Sequence, residues 1–401
     1  MQTVGLSLAV FSMGIAAAQS KSAPTYTILY TFQGTTDGGE PLGNLILDSA
    51  GDLYGTTSLG GDLSCVYDSF TPGCGTVFKV NPSGIETVLH SFTGGTDGIE
   101  PTGSLILTGG NLYGVSQSGG LGFGTVFKVN GAGQETVLYR FTGDPDGAYP
   151  SSGLVRDASG NLYGTTSAGG AFNYGAIFKI GATGKEIVLY SFTGGADGGY
   201  PYAKLIRDSS GNLYGTTEAG GNVSTCNCGV VFKLDITGKE TVLYSFAEYP
   251  DGSNPLAGLI RDSIGNFYGT TNGGGAYNGG TAFKLDPTDK ETVLYSFSFA
   301  GGGGPDAVLI PGPPGGVYGT TSGAGGASFG DPGTVFKLNL SGQEVVLHTF
   351  LNGPPDGWQP LGLVRDAIGN LYGATSFGGI SNTCSAGSHV YGCGIVFKLT
   401  P

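Results

Sequence analysis

The sequence predicts an all-β chain, a seven-bladed β-propeller of four-stranded blades, and three observations carry that prediction. Three short segments each recur seven times, at spacings of 49 to 61 residues. Runs of β-branched and aromatic residues alternate with Gly, Asp, Asn and Ser, the residues of tight turns. No stretch from residue 26 onward keeps a helical 3.6-residue period. With 79 Gly in 401 residues the chain would read as low complexity, but 39% hydrophobic against 12% charged residues supplies a core that a solvated coil lacks. Gly does not fall at every third position, which excludes collagen.

Taken in chain order, residues 1–18 read as an export signal: an apolar and small-residue run from Val4 ends in Ala16-Ala17-Ala18. It is too short to span a bilayer comfortably, and no later stretch approaches ~20 apolar residues, so no membrane span is expected. Residues 19–25 form a short linker, and 26–401 a single propeller. Within it, Leu-Tyr-Gly-Thr-Thr-like segments place Tyr at 54, 113, 163, 214, 268, 318 and 372. Gly-Thr-Val-Phe-Lys-like segments place Phe at 78, 127, 178, 232, 283, 336 and 397. Thr-Val-Leu-Tyr-Ser-Phe-like segments end at Phe32, Phe92, Phe141, Phe192, Phe246, Phe297 and Phe350.

Blade four shows the unit. Leu205-Ile206-Arg207 is the first strand, and Asp208 to Asn212 a tight turn. Leu213 to Thr217 is the second strand, Val230 to Leu234 the third, and Glu240 to Phe246 the fourth. Four strands per unit and seven units make a propeller. A lone fourth-strand sequence, 26–32, precedes the first unit, and the chain stops after a third strand, 395–399. Pairing the two ends completes blade seven and removes a bare edge.

A net charge of −13 with 17 Lys plus Arg excludes a phosphate-neutralising surface, so no nucleic-acid partner is expected. All six Cys lie in second-to-third loops, consistent with an oxidising compartment. Cys65 with Cys74 and Cys384 with Cys393 would staple the two longest loops, each by roughly 2.5–3 kcal/mol on the loop-entropy model; pairing across blades one and seven is the alternative. Cys226 and Cys228 form a tight disulfide or stay reduced. No metal site and no cofactor are expected: His is nearly absent, and the Cys loops lack further ligands. Asp-Gly in six inter-blade loops (Asp37, Asp97, Asp146, Asp197, Asp251, Asp356) would suit calcium, but reads better as a turn in which Asp caps the backbone and Gly takes positive φ. Asp48, Asp157, Asp208, Asp262 and Asp366 read as turn formers, with Arg156, Arg207, Arg261 and Arg365 as repeated neighbours.

These three segments, with a Gly-Gly pair and the following Asp-Gly-x-x-Pro, resemble the Gloeo/Verruco (GloVer) tandem repeat over residues 26–399. The resemblance implies an exported bacterial propeller of the kind described as choice-of-anchor proteins, secreted, periplasmic or at the cell surface. It implies no activity.

With the first strand innermost, the second-to-third loops and the loops entering each first strand share one face. All length variation lies there, which makes it the candidate functional face. The residue before each loop Pro runs Glu40, Glu100, Tyr149, Tyr200, Asn254, Gly304, Gln359 around the ring. Blade four alone has Glu218 after its second strand and Lys204 before its first-strand Leu; blade six alone has Asp306; and Trp358 is the only Trp. Aromatics and amides at a mouth suit sugars, whose apolar faces stack and whose hydroxyls need partners. Tyr149, Tyr200, Tyr202, Asn254, Asp306, Trp358 and Gln359 are therefore the candidate ligand set, for a glycan or a protein partner, on a monomeric scaffold. A carbohydrate-active enzyme is the alternative. Glu40 and Glu100 would flank a glycosidic bond in a hydrolase, whereas Glu218, Lys204 and Tyr202 would abstract a proton in a polysaccharide lyase.

Overall fold

Strand formation follows the repeated segments. A computed structural model describes residues 23–401, apart from 67–71, 223, 225, 248, 300–301, 313–314, 324–332, 352–353, 382, 387–388 and 391. The expected export signal and most of the linker lie outside the described residues. Blade four has strands Ile206–Arg207, Leu213–Thr217, Val230–Leu234 and Glu240–Ser245, hydrogen-bonded in that order. Seven such antiparallel sheets form the ring.

The first two segments recur together because one makes room for the other. Gly215 pairs with Phe232 across the sheet. A Cβ on Gly215 would come within 2.8 Å of the Phe232 ring, so only Gly lets that ring lie flat on its own sheet. The same Gly–Phe pair recurs in every blade, from Gly55 with Phe78 to Gly373 with Phe397. The third segment joins blades: Phe32 meets Phe78 of blade one at 5.0 Å, Phe192 meets Phe232 at 5.1 Å, and Phe350 meets Phe397 at 5.3 Å. These rings are fully buried, and edge-to-face contact adds to their apolar burial.

The ring closes as the sequence predicts. Thr25–Thr31 pairs antiparallel with Ile395–Thr400, with Tyr26 opposite Leu399. One feature is not visible in sequence. Each fourth strand carries a β-bulge, between Val231 and Phe232 partners in blade four. A bulge flips side-chain parity. Residues four apart, which would share a face in a regular strand, here face opposite neighbours.

That flip builds a repeated outer seam. Tyr30 of blade seven donates its hydroxyl to Asp37 at 2.9 Å, and Glu86 of blade one lies beside both, interacting electrostatically with each. Tyr139–Asp146–Glu186, Tyr190–Asp197–Glu240 and Tyr244–Asp251–Glu291 repeat it, and His90–Asp97–Glu135 is the variant with His. Burial, then the neighbouring Asp, pushes each of these five Glu carboxyls up to about 7. Blade six lacks the Asp, and there Tyr295 donates directly to Glu344 at 2.9 Å. At the seam of blades six and seven Tyr26 stands in the Glu position and donates to Asp356 at 2.6 Å. A hydroxyl donor at the Glu position shows that this site takes a neutral group beside the Asp, and the raised Glu carboxyls are easier to protonate there than in water.

The Asp residues also cap their turns. Asp97 accepts the Thr93 N–H at 2.8 Å and Asp251 the Ala247 N–H at 3.0 Å, the turn-forming reading. On the opposite face Asp157, Asp208, Asp262 and Asp366 accept backbone N–H groups of their turns. Arg156, Arg207 and Arg261 lie 5.5–5.8 Å from the ring of the preceding blade's Tyr, a cation–π contact between blades.

Candidate functional site

After each loop Pro the chain descends the inner wall of the ring. Seven such segments enclose a cavity of about 910 Å³ that also takes lining from the second-to-third loops, so it opens on the long-loop face. The residue after the Pro lines it from every blade: Leu42, Thr102, Ser151, Tyr202, Leu256, Asp306 and Leu361. One layer deeper lie Asn44, Ser104, Gly153, Lys204, Gly258 and Val308. Blade seven is one residue shorter between Pro360 and Leu363, so its inner segment runs as one strand, Gly357–Arg365. Asn44 fills the gap, accepting the Gly362 N–H at 2.9 Å.

The residues before the Pro share a backbone property that sequence inspection missed. Glu40, Glu100, Tyr149, Tyr200, Asn254 and Gln359 all have φ between 52 and 57°, with Gly304 at 65°. A left-handed residue other than Gly or Asn costs roughly 1 kcal/mol. Two hydrogen bonds enforce it. The Tyr200 N–H donates to the Tyr174 carbonyl of the preceding blade at 2.8 Å, and its own carbonyl accepts the Glu218 N–H at 3.1 Å. Glu40 and Asn254 donate likewise to the Cys393 and Cys228 carbonyls, both at 2.9 Å, and Glu100 to that of Cys74 at 3.2 Å.

The cysteines pair as expected, Cys65–Cys74 and Cys384–Cys393, and Cys226 pairs with Cys228. The second Cys of each pair stands at the same repeat position as Phe123 and Tyr174. Those rings contact the next left-handed residue, Tyr149 at 6.3 Å and Tyr200 at 5.4 Å between centroids. Disulfide and aromatic are thus alternative plugs beneath the rim. The column of residues just before Gly-Thr-Val-Phe was the signal available in sequence.

Of the candidate ligand set, Tyr202, Asn254, Asp306 and Gln359 line the cavity. Tyr149 and Tyr200 stand on the rim. Trp358 stacks on Phe377, with centroids 4.7 Å apart, and is not a lining residue. Asp306 is exposed at the lip; enclosure by the ring pushes its carboxyl up and the Ser322 hydroxyl opposes this.

The two catalytic pairings fare differently. Glu40 and Glu100 do not line the cavity, and Glu100 accepts the Ser118 hydroxyl at 3.4 Å. Tyr202 lines the cavity and feels the charge of Glu218, which is not a lining residue: burial and then that charge push the Tyr202 hydroxyl up, a Ser167 hydrogen bond opposes them, and burial pushes the Glu218 carboxyl up. Lys204 stands on the same wall, its ammonium pushed down by desolvation. Among the described residues no group of three or more His, Cys, Asp or Glu is placed to hold a metal ion, and no helix is long and apolar enough to cross a membrane.

Three solved structures are similar to this chain at low identity. A gluconolactonase from Xanthomonas campestris is 16% identical, covering 72% of this chain and 81% of that one, with a TM-score of 0.43. A putative 6-phosphogluconolactonase from Bacteroides uniformis is 15% identical, covering 79% and 84%, at 0.47. A luciferin-regenerating enzyme is 12% identical, covering 94% and 96%, at 0.45. These likenesses lend this chain no activity. No curated protein matches it. The sequence profile of the Gloeobacter/Verrucomicrobia repeat matches residues 9–227 and 222–401. The Gly–Phe pairs, buried seam rings and rim turns described above are what that recurring signature builds, and the chain belongs to the Gloeobacter/Verrucomicrobia repeat family.

Proposed function

We propose that this protein is an exported, monomeric binding scaffold that takes a glycan into the cavity on its long-loop face. The observation that carries the reading is the 910 Å³ cavity walled by the positions at which the blades differ, with Tyr202, Asn254, Asp306 and Gln359 around it. An aromatic face, amides and hydroxyls are what a sugar needs, and the volume falls in the range of small-molecule sites. Three disulfides suit an oxidising compartment, secreted, periplasmic or at the cell surface, with residues 1–18 as the signal and 26–401 as the mature ring. A glycan array read with wild type and Tyr202→Ala tests it. A sugar signal lost in the variant supports the reading; no sugar signal sinks it and leaves a protein partner.

A second reading, a polysaccharide lyase, is favoured by one observation, Tyr202 and Lys204 on one cavity wall with the Glu218 charge acting on the Tyr202 hydroxyl. Near-ultraviolet absorbance from an unsaturated product, lost in Tyr202→Phe, would support it. No product across a broad panel removes it.

A further inference from the structure

The cavity wall is asymmetric in charge. Among the described lining residues Lys204 is the one cation and Asp306 the one anion. The Lys204 stem crosses the blade boundary toward blade three: a Cβ on Gly153 would lie 3.1 Å from Lys204 Cδ and 2.9 Å from the Ser104 carbonyl oxygen. Gly153 is therefore the notch through which the lysine passes, and its side chain leads toward blades three and two, away from Asp306 in blade six. Among the described residues no carboxylate lies within 4 Å of the Lys204 ammonium. In the same sector Ser151 lines the cavity, and its hydroxyl, shielded just beneath that surface, has no hydrogen-bond partner. An unpaired cation and an unpartnered hydroxyl in one wall of an enclosed site are complementary to an oxyanion.

Resting on the glycan reading, we propose that the sector of Lys204, Ser151 and Ser104 is a carboxylate subsite, and that the ligand is a sugar carrying one carboxylate, a hexuronate unit. The Lys204 ammonium holds the carboxylate, and the Ser151 hydroxyl reaches it by turning about χ1, while Asp306 and Asn254 on other blades accept from and donate to the hydroxyls. A single cation in the cavity lining of a protein of net charge −13 selects against densely charged ligands, because each charge beyond the first meets repulsion rather than a partner. Enclosure, which pushes the Lys204 ammonium down, also strengthens its attraction for an anion once water is displaced.

The test is titration calorimetry of the full chain at pH 7 and low salt with glucuronate, galacturonate, glucose and inorganic phosphate, on wild type, Lys204→Met and Lys204→Arg. Met keeps the stem in the Gly153 notch and removes the charge. The proposal expects uronate binding to fall roughly tenfold or more in Lys204→Met and to be kept in Lys204→Arg. Glucose should bind more weakly than the uronates and be unchanged by the Met variant. Uronate affinity equal in wild type and Lys204→Met overturns the subsite. If neutral sugars still bind in a Tyr202-dependent way, the glycan reading survives that failure. Lys204-dependent binding of phosphate without uronate binding overturns the carboxylate assignment, and no sugar binding at all overturns both.

Discussion

Raising the pH should loosen the ring at its outer seams. Glu86, Glu135, Glu186, Glu240 and Glu291 each have a carboxyl pushed from 4.5 to about 7, and each has a buried oxygen without a hydrogen-bond partner. A group whose folded pKa lies above its unfolded value holds its proton more tightly when folded. Its contribution is fully present below pH 4.5 and is lost as the pH rises toward 7. Unscreened, a shift of ~2.5 units is worth ~3.4 kcal/mol. Half-buried positions at the outer edge retain a fraction of that, about 1 kcal/mol each after solvent screening. Five seams then lose ~5 kcal/mol. A ring of about 375 residues has an unfolding entropy near 0.8 kcal/mol/K, so the Tm should fall by ~6 °C between pH 4.5 and 7.5. The Asp residues with lowered pKa values, Asp157, Asp208, Asp262 and Asp366, act in the opposite sense and only below pH 4. Calorimetry across this range on wild type and a five-position Glu→Gln variant measures the effect. Gln keeps the neutral shape, so the variant should match wild type at pH 4.5 and lose little by pH 7.5. A wild-type Tm that is flat or rising over this interval, or an equal fall in the variant, would refute the role of the seam Glu carboxyls.

Three further outcomes follow from the packing and the backbone. Phe32 is fully buried against Phe78 at the closing seam, so Phe32→Ala should cost about 3–5 kcal/mol and deletion of residues 1–33 considerably more; a truncate that melts with the processed protein would overturn closure through the N-terminal strand. Gln359 holds φ at 53° where blade six has Gly, so Gln359→Gly should stabilise the fold by up to ~1 kcal/mol in urea unfolding, and a loss of stability would show that the side chain is structurally required.

Architecture was legible because it is written seven times. Period, turn chemistry and the split blade are local or counting properties, and strands such as Leu213–Thr217 and Val230–Leu234 fall on the expected residues. The cysteine pairs within loops were legible for the same reason, since both partners are near neighbours in sequence. The candidate site was legible only as columns of variation. Tyr202, Asn254, Asp306 and Gln359 line the cavity, whereas Trp358, singled out by rarity, stacks on Phe377 instead. Rarity in a sequence does not say which side of a strand a side chain occupies.

What the chain alone states is therefore the fold, its closure and the face on which the blades differ, all consequences of periodicity and residue type. What tertiary structure alone decides is what meets across a seam. The β-bulge that turns Glu86 toward blade seven while His90 turns toward blade two has no sequence mark, because any residue can occupy it. The left-handed turn at Tyr200 likewise arises from hydrogen bonds to loop residues of two different blades, and Lys204 crosses its blade boundary only because a glycine fifty-one residues earlier stands beside it in space. Each is a contact between residues distant in sequence, and their proximity exists only once the ring has closed.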